Sequence, residues 1–127
     1  MKLRLKGNTV RFRLTKPEVK LIGDKGYIEE QTDFLPNKFF YAVKTDNSIN
    51  ELRADFNSNR ITLFIPEVWA KEWDNSEQVG FEGRMNTNDS QSIYLLIEKD
   101  FKCLDESTED QSDNFENPNI ECEPFEK

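Results

Sequence analysis

Short runs in which apolar and polar residues alternate dominate this chain, and they restrict it to folds built largely from strands. Leu3 and Leu5 stand two residues apart, and Val10, Phe12 and Leu14 follow at the same spacing. Because successive side chains of a strand point to opposite sides, each run is expected to bury one face. Further runs of this kind continue to about residue 101.

Two helices are expected between these strands. Thr15 with Glu18 three residues later forms a capping-box pattern, so a helix should begin there. That helix should end at Gly23 or Gly26, where a left-handed backbone costs glycine nothing. A second helix is expected from Pro66 to Asp74.

The pattern is present twice at a constant offset of 49 residues, since LRLKGNTVRFRLTKPEV aligns with LRADFNSNRITLFIPEV. Each half reads strand, strand, helix, strand, strand, which is typical of a duplicated unit, although short amphipathic strands also resemble one another by chance. We therefore predict a single α+β domain over residues 1–104, duplicated as about 1–48 and 49–99. Its strands should form a mostly antiparallel sheet or a partly closed barrel.

Charge is distributed unevenly along the chain. Residues 1–99 hold 15 acidic and 15 basic side chains, whereas residues 100–127 hold 10 acidic and 2 basic ones and so carry the whole net charge of -8. Residues 105–127 contain too few apolar side chains to offset the entropy of ordering, and we expect an acidic, largely flexible tail. Phe101 and Leu104, just before it, are expected to pack at the end of the last strand.

The composition argues against several kinds of active site. There is no histidine, the usual general base and metal ligand, and the five glycines are too scattered for a phosphate-binding loop. Trp69 and Trp73 fit a core better than a ligand-stacking platform. Cys103 and Cys122, among carboxylates, are expected to be free thiols in a reducing cytoplasm, and neither a signal sequence nor a membrane span is recognised.

The polar side of the sheet carries the candidate binding residues. The bases that strand alternation places there are Lys2, Arg4, Lys6, Arg11, Arg13, Arg53 and Arg84. They would form either the solvated exterior of an antiparallel sheet or a surface that binds an anion. If the sheet curls into a barrel, Glu51, Asp55, Glu82 and Glu98 would converge inside it and could hold a divalent metal such as Mg²⁺.

Two resemblances add to this interpretation. Through KLRLKGNTVRFRLTKPEV, LLIEKDFKCL and DNFENPN, the chain resembles a family of small bacterial proteins of unknown function over nearly its whole length. The order of elements after Val10 also resembles the duplicated unit of the CYTH-type triphosphate-tunnel proteins. Those proteins open with alternating glutamates where this chain has Lys2, Arg4 and Lys6, so their metal ligands are not carried over.

These observations favour a non-enzymatic, cytoplasmic binding module without a cofactor. Its basic N-terminal strands would bind an anionic ligand or protein, or the chain's own acidic tail. A metal-dependent phosphohydrolase of the triphosphate-tunnel type, using Mg²⁺, is the alternative. A membrane partner is not expected, and nucleic acid is disfavoured because a polyanionic chain repels phosphates.

Overall fold

The computed structural model describes residues 1–88 and 90–101, which form eight strands and two helices. In chain order these are β1 (Lys2–Lys6), β2 (Thr9–Leu14), α1 (Lys16–Lys25), β3 (Tyr27–Asp33), β4 (Lys38–Asp46), β5 (Arg53–Asn57), β6 (Arg60–Pro66), α2 (Glu67–Trp73), β7 (Gly80–Asn88) and β8 (Gln91–Lys99). The protein is therefore α+β, as predicted. The predicted acidic tail, both cysteines and Leu104 lie outside the described residues.

The strands form two mixed sheets of four strands each. Sheet A has the order β1-β2-β8-β7, and sheet B has the order β3-β4-β6-β5. Each is made of two antiparallel hairpins joined by one parallel pair, β2 with β8 and β4 with β6. Among the described residues neither sheet closes on itself, so the structure has the predicted antiparallel hairpins but not the partly closed barrel.

The order strand, strand, helix, strand, strand occurs twice, from β1 to β4 and from β5 to β8. Each sheet contains one hairpin from each of these halves, an arrangement that we call the exchange of hairpins. The first hairpin of one half pairs with the second hairpin of the other half, once in each sheet. Gly7 and Asn8 form the β1–β2 turn, whereas Ser58 and Asn59 form the β5–β6 turn, 51 residues later. The first two strands and the helix of each half thus correspond at an offset of 51 rather than 49. The difference of two residues leaves each strand's inward and outward faces unchanged.

The core lies between the inner faces of the two sheets and the helices. Phe12 and Leu14 of sheet A and Leu63 and Ile65 of sheet B are fully buried in it. The rings of Phe12 in sheet A and Tyr41 in sheet B contact each other, with centroids 6.5 Å apart, and so connect the two sheets directly. One shared core explains how short strands from both halves form a single packed unit.

The helices begin, end and pack as their residues dictate. Thr15 and Glu18 form the predicted capping box of α1, and Gly26 ends the helix in the left-handed conformation. Helix α1 also meets α2 closely, since a Cβ on Gly23 would lie 2.8 Å from the carbonyl oxygen of Ala70. Position 23 therefore needs a residue without a side chain.

The two tryptophans of α2 contribute to the core. Trp73 is buried and donates its indole N–H to the carbonyl of Gln78 at 2.8 Å. Trp69 is half-buried, and its ring stacks on Phe81 with centroids 4.8 Å apart. This agrees with their predicted packing role.

Strand β8 ends two residues earlier than expected. The N–H of Asp100 donates to the carbonyl of Leu14 at 2.8 Å, and after this last bond Phe101 extends past the sheet with 55% of its surface exposed. The prediction that Phe101 packs at the strand end is wrong. Within residues 1–88 and 90–101, no helix has the length and apolar character needed to cross a membrane.

Candidate functional site

Six of the seven predicted anion-binding bases lie on the outer face of sheet A. Strand alternation places them there, because the residues between them point to the inner side of the sheet, as Val10 and Phe12 do in β2. We call this surface the cationic face and define it by Lys2, Arg4 and Lys6 of β1, Arg11 and Arg13 of β2, and Arg84 of β7. Three strands of one sheet thus contribute bases to the same face.

An ion pair occupies the centre of the cationic face. Arg11 donates from Nε to Oε2 of Glu98 at 2.9 Å, and Nε of Arg13 lies 4.0 Å from the other carboxylate oxygen. The side chains of Arg11 and Glu98 are only 8% and 16% exposed, respectively. One carboxylate is therefore held between two guanidinium groups that are two residues apart on β2, and water screens its contact with the buried Arg11 weakly.

A second polar cluster lies at the far edge of the cationic face. The Tyr94 hydroxyl donates a hydrogen bond to Glu82, and the Arg84 guanidinium stacks over the Tyr94 ring, 5.2 Å from its centroid. The hydrogen bond to Glu82, followed by burial, raises the pKa of Tyr94. The phenol therefore keeps its proton and acts as a hydrogen-bond donor across the neutral range.

The third contact lies where the chain leaves β8. Lys2 Nζ is 3.1 Å from Oδ2 of Asp100. Among residues 1–88 and 90–101, the cationic face carries six bases and three carboxylates, those of Glu82, Glu98 and Asp100. The formal charge of these nine side chains is positive although the whole chain is acidic.

The outer face of sheet B provides an internal comparison because its strands occupy corresponding positions. Counting from the hairpin turns, Arg4, Lys6, Arg11 and Arg13 correspond to Asp55, Asn57, Thr62 and Phe64. Four bases (Lys38, Lys44, Arg53 and Arg60) and four acids (Glu29, Asp33, Asp46 and Asp55) make this second face neutral. The positive charge is therefore a property of sheet A and not of the repeated framework.

Arg53, the seventh predicted base, lies apart from the other six. Its Nη2 is 3.5 Å from Oδ2 of Asp46, and its guanidinium stacks on Phe64, 4.5 Å from the ring centroid. Together with Glu51 and Arg84 it also lines a cleft of about 340 Å³ between the β4–β5 connection and β7. Arg84 is thus the one predicted base that borders both the cleft and the cationic face.

The four carboxylates weighed as metal ligands lie on different surfaces. Glu51 lines the cleft, Asp55 lies on the outer face of sheet B, and Glu82 and Glu98 lie on the cationic face. Glu82 accepts the Tyr94 hydrogen bond, and Glu98 is paired with Arg11. In the part of the chain that the structure describes, no three potential ligands form a group that could hold a metal ion.

Sequence reasoning missed the residues that organise the cationic face. Tyr94 and Leu96 alternate with buried Leu95 and Ile97 in β8, which places them beside Glu98 on the outer side. That alternation was visible in the sequence. The pairing of Arg11 with Glu98, 87 residues away, depends on the parallel contact of β2 with β8 and had no local signal.

Comparison with known protein families gives a match over nearly the whole chain. A family model described as "Family of unknown function (DUF7009)" covers residues 1–119. No curated protein and no solved structure matches the chain.

Proposed function

Because the chain belongs to DUF7009, a family of unknown function, its role has to be argued from its own surface, and we propose that the cationic face binds an acidic segment of a protein partner. The protein would act as a binding module rather than an enzyme. The observation that carries the proposal is the concentration of six bases on one sheet face of an acidic chain.

The difference in charge between the outer faces of the two sheets supports a binding surface rather than an ordinary solvated exterior. An exterior that only had to stay hydrated would not need a net positive charge on sheet A and balanced charge on sheet B, since both outer faces rest on corresponding strands. A patch with a net charge instead raises the local concentration of oppositely charged partners and speeds their association.

The chemistry of the face favours carboxylates over phosphates. Glu98 already lies between Arg11 and Arg13, so the surface accommodates a carboxylate bound by two guanidinium groups. A nucleic acid or polyphosphate carries a dense, continuous charge that the -8 chain would repel. A short acidic peptide carries less charge and fits a sheet surface whose bases recur every second residue.

The wider setting is also part of the proposal. A role in a bacterial cytoplasm fits a chain whose two cysteines both lie in its acidic C-terminal stretch and are too few for a disulfide framework. Origin by internal duplication is supported by the repeated element order and the reciprocal exchange of hairpins.

Binding of a fluorescent peptide tests this function. A labelled peptide of alternating glutamate and serine would be titrated with the protein at low and physiological ionic strength, and anisotropy would report binding. A triple variant, Lys6→Glu with Arg13→Glu and Arg84→Glu, should lose at least about tenfold in affinity because three favourable contacts become repulsive. It leaves the central Arg11 in place.

A variant with the same change in net charge provides the control. Lys16→Glu, Lys20→Glu and Lys44→Glu alter exposed lysines that lie outside the cationic face. This control should bind within about twofold of the original, since scattered exposed charges act weakly through salt. Equal losses in both triple variants would show that only net charge matters and would refute a dedicated surface. Tighter binding of polyphosphate or single-stranded DNA than of the peptide would identify a different class of ligand.

A further inference from the structure

The chain leaves sheet A directly beside the cationic face. Strand β8 runs parallel to β2, so its last residues reach the end of the sheet where Leu14, Arg13 and Lys2 are found. Asp100 is fixed there twice, by its backbone bond to Leu14 and by its ion pair with Lys2. The described part of the chain therefore ends beside Lys2, at one corner of the cationic face.

The sequence that follows has the charge and length to cover this face. Between Asp105 and Asp113 it carries five carboxylates, at positions 105, 106, 109, 110 and 113. The bases of β1 extend from Lys2 to Lys6, about 13 Å along an extended strand. Nine extended residues span roughly 27–30 Å, so the segment is long enough to run the length of β1 and turn back.

We infer that the segment Asp105–Asp113 binds the cationic face within the same molecule and competes there with acidic partners. This inference rests on the function proposed above, because it names the regulator of the same surface. The family model supports it, since the match continues through this segment to residue 119. The acidic segment thus lies within the stretch that the family model covers, together with the sheet it follows.

The expected competition follows from local concentration. A segment tethered to a corner of its own binding surface meets that surface at an effective concentration in the millimolar range. Several carboxylate contacts that are individually weak then hold it in place together, and an external peptide has to displace all of them. Binding from solution is therefore weakened without any change in the face itself.

A full-length variant with a neutral segment tests the inference. Asp105→Asn, Glu106→Gln, Glu109→Gln, Asp110→Asn and Asp113→Asn would be combined, and the same labelled glutamate–serine peptide would be titrated at two ionic strengths. We expect the affinity at low salt to rise by about three- to tenfold, and the gain to shrink at physiological salt. The control neutralises Glu116, Glu121, Glu123 and Glu126 and should produce less than half of that gain.

The two proposals fail in different ways in this experiment. If the neutral-segment variant binds no peptide even at low salt, the proposed function is wrong. If it binds the peptide with the same affinity as the original protein, the surface is a binding site but the intramolecular competition is refuted. Equal gains from both sets of substitutions would likewise overturn the assignment of residues 105–113, since only total charge would then matter.

Zero-length cross-linking of amines to carboxylates provides a second readout without a partner. The pair Lys2 and Asp100, 3.1 Å apart, serves as the internal positive control. We expect additional intramolecular links from Lys2 or Lys6 to carboxylates between positions 105 and 113. Links from these carboxylates to Lys20 or Lys71 on the helices in equal yield would contradict docking on the cationic face.

Discussion

Arg11 donates from Nε to Glu98 at 2.9 Å across the parallel contact of β2 and β8, and both side chains are largely buried although they lie on the outer side of sheet A. The pair joins residues 87 positions apart and belongs to the two strands on which sheet A is centred. It therefore links the stability of the sheet to the charge of its outer surface.

Loss of the Glu98 charge should destabilise the protein. Glu98→Gln is expected to lower the free energy of unfolding by about 1–3 kcal/mol, because Arg11 keeps its buried charge and loses the counter-charge of Glu98. Urea unfolding at pH 7 measures this. Asp24→Asn, which removes the exposed pair with Lys20, should cost less than about 0.5 kcal/mol. The double variant Arg11→Met with Glu98→Leu should lose less free energy of unfolding than the single variants Arg11→Met and Glu98→Leu lose in total. Simple additivity of the two losses would show that the two side chains act independently.

Contact between the helices should be intolerant of one added methyl group. A Cβ at Gly23 would lie 2.8 Å from the Ala70 carbonyl oxygen, so Gly23→Ala is expected to cost about 1–3 kcal/mol despite the higher helix propensity of alanine. Gly83→Ala is the matched control, since its nearest neighbour would be the Leu52 Cβ at 4.0 Å. A stabilised Gly23→Ala protein in thermal unfolding would mean that α1 and α2 can separate at little cost.

Stability should decrease in acid partly through Glu18. Burial acts to raise the pKa of Glu18, but hydrogen bonds from the Met1 ammonium group and the Thr15 N–H outweigh it and lower the pKa. A carboxyl whose pKa is lower in the folded state stabilises the protein above its unfolded pKa of about 4.3, and this contribution is lost as the pH falls through the folded value.

The variant Glu18→Gln isolates this contribution. It should cost about 1 kcal/mol at pH 7, because the capping box and the ion pair are both weakened. The difference from the original protein should become smaller below about pH 4, where Glu18 itself becomes protonated. Urea unfolding between pH 3 and pH 7 provides the measurement, and a difference that stays constant over this range would assign the effect to packing alone.

Replacement by alanine should destabilise the protein strongly at Phe12 and very little at Phe101. Phe12 is fully buried, so Phe12→Ala is expected to cost about 3–5 kcal/mol. Phe101 is more than half exposed, and Phe101→Ala should change the free energy of unfolding by less than about 0.5 kcal/mol. A large loss from Phe101→Ala would show that this ring packs against the protein in solution.

Local chemistry made part of the fold predictable from the sequence. Thr15, Glu18 and Gly26 act through neighbours within one or two turns of α1, so their roles could be read directly. The parallel contacts could not, because nothing near Val10 specifies Leu95 as its neighbour. The offset of 49 was wrong for a related reason: it aligned Pro17 with Pro66, although Pro17 lies inside α1 and Pro66 ends β6.

Prediction of the candidate site was limited in the same way. Alternation correctly placed six bases on one face, because it requires only that every second residue of a strand points to the same side. It did not show that Glu98 would pair with Arg11 instead of joining other carboxylates, because that choice depends on which strand lies beside β8. Long-range pairing, rather than residue type, decided the role of this glutamate.

The exchange of hairpins also sets an order of assembly during synthesis. Sheet B uses only residues 27–66 and can pair as soon as that stretch has left the ribosome. Sheet A cannot, because its first hairpin must wait for β8, whose last residue is Lys99. The basic hairpin β1–β2 therefore stays without its central neighbour until β8 has been synthesised, and the acidic residues beyond position 100 follow immediately after the strand that completes the sheet.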